Sequence, residues 1–110
     1  MKTQMTKAQI KKLDIQWSLA VRERDGKCMK CGRRDGLQGA HIFSRRSRSV
    51  RWDLDNGIAL CMACHLFWAH QEPVEFTRFL EGLLGRGFLK KLERKKNTII
   101  KYQEIVAQKD

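Results

Sequence analysis

Four cysteines stand as two Cys-x-x-Cys pairs, Cys28 with Cys31 and Cys61 with Cys64. Two intervening residues let both sulfurs of a pair reach one tetrahedral ion while backbone N–H groups point at the sulfurs. One such pair alone reads equally well as a redox motif, and the second pair removes most of that ambiguity. The expectation is a structural Zn²⁺ held by Cys28, Cys31, Cys61 and Cys64. Twenty-nine residues separate Cys31 from Cys61, longer than a compact zinc ribbon, so something of its own folds inside the loop. That insert holds His41 and Asn56; His65 directly follows the last cysteine and His70 comes five residues later. A neutral imidazole near pH 7 takes a proton from water, and a divalent cation neutralises charge on a departing oxygen. One base and one metal on opposite sides of a phosphorus atom fit in-line hydrolysis of a phosphodiester.

The surroundings of these residues favour the same substrate chemistry. Arg45, Arg46, Arg48 and Arg51 follow His41, and an arginine fork binds two phosphate oxygens at once. The 110 residues carry 23 Lys and Arg against 12 Asp and Glu, a formal net charge of +11. Four bound thiolates and one Zn²⁺ leave that balance strongly basic, which favours a polyanionic partner such as DNA. No apolar run is long enough to span a bilayer, the longest being residues 58–64, so no membrane partner is expected. The N-terminus MKTQMTKAQIKK lacks a signal-peptide core, which leads to the expectation of a cytoplasmic protein. In a reducing compartment four cysteines serve as metal ligands more readily than as disulfides. A phage protein acting in a host cytoplasm has the same composition.

The elements that must position these groups are visible in the periodicity. The length fits one domain over residues 1–110, with a core modest enough for a metal staple to matter. Thr6-x-x-Gln9 resembles a capping box, and Ile10, Leu13, Trp17 and Val21 recur at helical spacing, predicting a helix over 6–23. Trp17 reads as a packing residue of that helix. Asp25-Gly26 ends it. Residues 37–43 read as a first strand, 44–56 as a basic loop closed by the turn signal Asp55-Asn56-Gly57, and 57–60 as a second strand. A helix starts at Cys64 and meets Pro73. Strand, loop, strand and helix make a ββα finger over 28–72 pinned at both ends by the metal. Over 73–110, one helix buries Phe76, Phe79, Leu80, Leu83 and Leu84, Gly85-Arg86-Gly87 breaks it, and a last helix runs from Phe88. That last helix carries Leu89, Leu92, Ile99, Ile100, Ile105 and Val106, weakened at Asn97-Thr98, with the basic run KKLERKK on it. The run reads as a solvated face or, alternatively, as a phosphate-contacting one. Trp52 and Trp68 read as core residues.

The ordered set His41, Asn56 and His65, flanked by Cys-x-x-Cys pairs, resembles the HNH endonuclease family over about residues 17–80. The resemblance implies an α+β fold: a small zinc-stabilised ββα-metal, or His-Me finger, domain with flanking helices. It also implies a metal-dependent DNA endonuclease. On that pattern His41 is the general base, Asn56 holds the loop and His65 binds the catalytic cation, which would be Mg²⁺, Mn²⁺ or another divalent ion. It further implies double-stranded DNA as substrate, with a 5′-phosphate and a 3′-hydroxyl as products.

One position departs from the pattern. Many members carry an acidic residue or a histidine just before the catalytic histidine as a second ligand, and here Ala40 stands there. His70 is the first candidate for the missing ligand, with Asp53 and Gln38 behind it. Five residues of regular helix turn about 500°, which puts His70 off the face of His65 unless the turn is tightened or broken before Pro73. The alternative reading is a zinc-stabilised nucleic-acid-binding module without catalysis, and a third is an adaptor that recruits a larger machine.

Overall fold

A computed structural model describes residues 4–98 of the chain. Thr6 opens the first helix, α1, spanning Lys7–Asp25. Its hydroxyl accepts from the Gln9 backbone N–H while the Gln9 side chain accepts from the Thr6 N–H, so two otherwise unpartnered donors of the first turn are satisfied together. Leu13, Trp17 and Val21, spaced by four, form its buried stripe. Gly26 ends the helix in the left-handed conformation, φ 71°, and returns its N–H to the Arg22 carbonyl.

Two strands follow, β1 at Leu37–His41 and β2 at Gly57–Cys61, paired antiparallel with His41 opposite Gly57 and Leu37 opposite Cys61. β1 is two residues shorter than the sequence predicts. At Ile42 the ladder gives way to Asn56, whose backbone carbonyl takes the Ile42 N–H and whose side chain takes the Phe43 N–H. β2 reaches one residue further, into the second cysteine pair. Between the strands the chain turns on itself repeatedly and ends in a 3₁₀ turn, Leu54–Asn56.

The sheet separates two buried groups. Gly39 and Ala59 are register partners on the face toward α1, where Trp17, Val21 and Ala59 pack with Trp52. The other face presents Ala40, Ile58 and Leu60 to Cys28, Cys61, Ala69 and Leu80. The far end of α1 is tied to β2 by polar bonds as well. Arg24 donates to the Leu54 and Gly57 carbonyls, and Asp25 accepts from the Ala59 N–H.

After β2 the chain winds through Cys64–Ala69 as a π-helix rather than the α-helix that the sequence predicts. Helix α2, Pro73–Leu84, begins with Pro73 in the first turn, where its missing N–H costs nothing. Trp68 packs edge-on against Phe76 and Phe79. Only Gly85 breaks the chain before α3, which starts at Arg86 and therefore includes Gly87 and Phe88. α3 ends at Lys96, with Asn97 as its cap, so the predicted weak point is the described end of the helix. Ile99, Ile100, Ile105 and Val106 lie outside the described residues. The fold is α+β, a two-stranded antiparallel sheet among helices. No helix among the described residues is long and apolar enough to cross a membrane.

Candidate functional site

The four cysteines converge. Their ligand atoms all lie within 4.8 Å of one another, and Cys31 Sγ is 3.7 Å from Cys61 Sγ. A tetrahedron with metal–sulfur bonds of about 2.3 Å has an edge of about 3.8 Å, so this spacing suits a single ion. The knuckle closes through the Gly32 N–H on the Cys28 carbonyl, with Gly32 at φ 84°, and through the Cys28 N–H on the Arg33 carbonyl. No disulfide joins the four. Burial raises the Cys28 thiol, but backbone N–H groups of Cys31, Cys61 and Lys30 and the Cys31 side chain outweigh it and bring it down to about 6. Cys64 is pushed up, by burial and by the three neighbouring sulfurs. Crowded sulfurs cannot all ionise unless a cation offsets their charge, so the cluster is compatible with a structural metal such as zinc.

His41 ends β1 on the α1 face, and its ring is fixed from two directions. Nε2 lies 2.9 Å from the Arg51 carbonyl oxygen, which only accepts, so Nε2 carries the proton and Nδ1 the lone pair of the neutral ring. One flat side stacks on Trp17, with ring centroids 3.9 Å apart and planes within 6°. Burial lowers the His41 pKa below its ordinary value, while the Arg51 carbonyl and the Asp14 charge pull the other way without overcoming it. The imidazole is therefore neutral near pH 7 with Nδ1 available.

Asn56 is fully buried at 0 % exposure and fully satisfied. Its Oδ1 accepts from the Phe43 N–H at 2.7 Å, and its Nδ2 donates to the Phe43 and Val50 carbonyls at 3.0 and 3.1 Å. One amide thus ties both ends of the loop together, in the span that contains the Arg51 carbonyl.

His65 starts the widened turn on the opposite side of the sheet from α1. Its Nδ1 donates to Gln38 Oε1 at 2.8 Å, which leaves the Nε2 lone pair open. Burial lowers its pKa, and the charged forms of His70 and His41 lower it further. The His70 N–H reaches the His65 carbonyl at 3.2 Å, five residues back, and the two rings meet edge to face with centroids 4.5 Å apart. The turn is therefore widened, not tightened: one extra residue per turn brings i and i+5 onto one face.

The other ligand candidates have different partners. Gln38 orients His65 through its carbonyl oxygen. Asp53 accepts from the Asp55 N–H and from Lys95 Nζ at 3.0 Å. Among the described residues the four cysteines are the only group of three or more metal-ligating side chains that converges.

The arginines divide. Arg45 and Arg46 are exposed. Arg51, expected on phosphate, is instead clamped to Asp14 of α1, with Nε 3.0 Å from Oδ1 and Nη2 2.7 Å from Oδ2, at 13 % side-chain exposure. Trp52 Nε1 donates to the same carboxylate, and these donors hold Asp14 below the usual range although burial opposes them. The clamp steadies the backbone whose carbonyl holds His41. α3 reaches this loop too, through Ser49 Oγ on the Lys96 carbonyl and Lys95 on Asp53 and Asp55.

Two contributors were not readable as site residues. Asp14 is a lone acid one turn before Trp17, and neither has a motif; Gln38 was legible only as a possible ligand. Family models, curated proteins and solved structures were compared with the chain, and none matches.

Proposed function

We propose that the chain is an HNH-type, metal-dependent DNA endonuclease on a zinc-pinned ββα-metal finger. The observation that carries this reading is a pair of oppositely prepared imidazoles. His41 offers a neutral Nδ1 with Nε2–H anchored on the Arg51 carbonyl, and His65 offers a free Nε2 with Nδ1–H anchored on Gln38. Each ring therefore keeps one lone pair open with its N–H anchored, which is what a general base and a metal ligand both need.

In the proposed reaction Nδ1 of His41 takes a proton from water as the water oxygen bonds to phosphorus. The imidazolium that forms keeps its Nε2–H on the Arg51 carbonyl, so the new charge appears against an acceptor already in place. The P–O3′ bond breaks, leaving a 5′-phosphate and a 3′-oxygen that is protonated by solvent. His65 and His70 are the residues that would hold the catalytic cation, which supplies charge neutralisation at the departing oxygen. Two imidazoles without a carboxylate suit metals such as Zn²⁺ or Ni²⁺ better than Mg²⁺, which prefers oxygen ligands. The four cysteines would hold the structural Zn²⁺. Arg45 and Arg46, with Arg48 and the exposed basic residues of α3, supply the phosphate-facing charge for double-stranded DNA. A protein acting on DNA in a cytoplasm, bacterial or phage-encoded, fits this reading.

The second reading, a zinc-folded nucleic-acid-binding module without catalysis, rests on the absence of a third ligand converging with His65 and His70 among the described residues. Supercoiled plasmid incubated with and without Zn²⁺, Ni²⁺, Mn²⁺ or Mg²⁺ separates them. The nuclease relaxes or linearises it only with metal, and His41→Ala lowers the rate by about 10²–10⁴-fold while DNA binding persists. No cleavage in any metal, or equal rates for wild type and His41→Ala, leaves the binding module.

A further inference from the structure

Helix α1 contributes more than core packing to this site. Trp17 is 5 % exposed, and its indole lies across both strands where each has a glycine. A Cβ at Gly39 would sit 2.9 Å from Trp17 Cζ3, and one at Gly57 would collide with Cζ2. Gly57 has extended backbone, φ −160°, that any residue adopts, so what requires glycine there is the approach of the indole. Far from sliding freely, the ring is pinned by its Nε1–H on the Asp53 carbonyl at 2.8 Å. It ends face to face with His41, the register partner of Gly57.

We infer that Trp17 is a positioning residue for His41: its pinned indole, seated on Gly39 and Gly57, fixes the plane of the imidazole so that Nε2–H stays on the Arg51 carbonyl and Nδ1 faces substrate. A single hydrogen bond leaves a ring free to rock about that bond, whereas a parallel face 3.9 Å away removes that freedom. The same face stabilises the imidazolium that appears as the water proton is taken, because the negative π-cloud of an indole attracts a cation. Asp14 from α1 and Arg45 and Arg51 from the loop are the other charged groups that act on this histidine.

The inference rests on His41 being the base, and its test separates the two. Trp17→Leu removes the aromatic face, Trp17→Phe keeps part of it without the Nε1–H, and Gly57→Ala displaces the indole with neither Trp17 nor His41 replaced. Metal content and DNA affinity serve as checks of folding. ¹⁵N–¹H spectra of the His41 ring report its tautomer and the upfield ring-current shift from the indole. The expected result is an Nε2–H tautomer with upfield ring protons in wild type. In Trp17→Leu and Gly57→Ala the upfield shift disappears and both tautomers populate, with kcat lower by about 10²-fold and KM for DNA unchanged, as for a misplaced catalytic group. Trp17→Phe should recover part of both readouts. If Trp17→Leu does not fold, Gly57→Ala and Trp17→Phe decide by the same two readouts. Unchanged His41 spectra, or wild-type kcat in folded variants while His41→Ala is inactive, overturn the inference alone. Full activity in His41→Ala overturns the nuclease reading and this role with it.

Discussion

His65 and His70 meet edge to face, ring centroids 4.5 Å apart and planes at 69°, although five residues separate them. The π-winding of Cys64–Ala69 is what brings them together. Widened turns of this kind concentrate at functional sites, since they are less favourable than regular helix and persist where something requires them. On the proposed reading the pairing would offer a catalytic cation two imidazoles from one short segment, in place of the strand ligand that Ala40 cannot supply.

The metal dependence of the two histidines should therefore match. His65→Ala and His70→Ala are each expected to raise the divalent metal concentration that gives half-maximal cleavage, with partial recovery at high metal. His41→Ala should show no such recovery. Metal titrations of plasmid cleavage check this, and a His70→Ala curve that overlays wild type would remove His70 from the ligand set.

Acid should act through the half-buried imidazoles. His41 and His65 both have folded pKa values below the ordinary 6.5. The unfolded chain then binds more protons than the folded one in the window between those values and 6.5. Stability is fully present above about pH 6.5 and is lost as pH falls through the folded values. Cleavage should follow the same direction, since only the neutral His41 accepts a proton. Thermal melts and single-turnover rates across mildly acidic pH check both, and His41→Ala should flatten the stability profile.

Asn56 should be among the least replaceable polar residues. Asn56→Ala leaves the Phe43 N–H and two carbonyls without their partner inside the protein, a loss of roughly 2–4 kcal/mol on the scale of about 1–3 kcal/mol per unsatisfied buried group. Asn56→Asp keeps the acceptor for Phe43 but sets a carboxylate against the Phe43 and Val50 carbonyls, so it should be no better. Denaturant unfolding measures the loss, and a variant within about 0.5 kcal/mol of wild type would contradict the loop-tying role.

The arginines should separate by phenotype. Arg45→Ala with Arg46→Ala should weaken binding to unrelated DNA sequences about equally and reduce the salt slope by about one for each phosphate no longer neutralised. Arg51→Ala leaves the Asp14 carboxylate without its bidentate partner and loosens the backbone that holds His41. Its defect should appear in stability and kcat, with the salt slope close to wild type. A loss of affinity in Arg51→Ala equal to that of the double variant would place Arg51 on the DNA.

Metal removal should unfold the finger, because Cys28, Cys31, Cys61 and Cys64 converge from two separate stretches of chain, and binding at such a site is coupled to folding. Purified protein should contain about one tightly held zinc for the four thiolates. Cys61→Ser or a strong chelator should abolish the cooperative melt. A folded, reduced, metal-free sample would remove the structural-zinc proposal.

Much of this arrangement is local chemistry and was legible without a structure. Thr6 and Gln9 mark a helix start because each satisfies the other's backbone within one turn. The two Cys-x-x-Cys pairs specify convergence because their spacing already presents two sulfurs to one point. The hairpin follows from an apolar run on either side of a turn signal. The orientation of His41 was not legible, because it depends on a ring 24 residues earlier and on a carbonyl ten residues later. Arg51 resembles its neighbours in the basic loop by residue type, and only the tertiary structure pairs it with Asp14, 37 residues away. Nor does residue type distinguish π-winding from regular helix over Cys64–Ala69, since the apolar residues of such a short segment fit either period. Spacing along the chain fixes which groups can meet when the partners lie within a turn or two. Which nitrogen of each histidine is free is decided by distant segments packing together, since the acceptor for each ring's proton comes from another part of the chain.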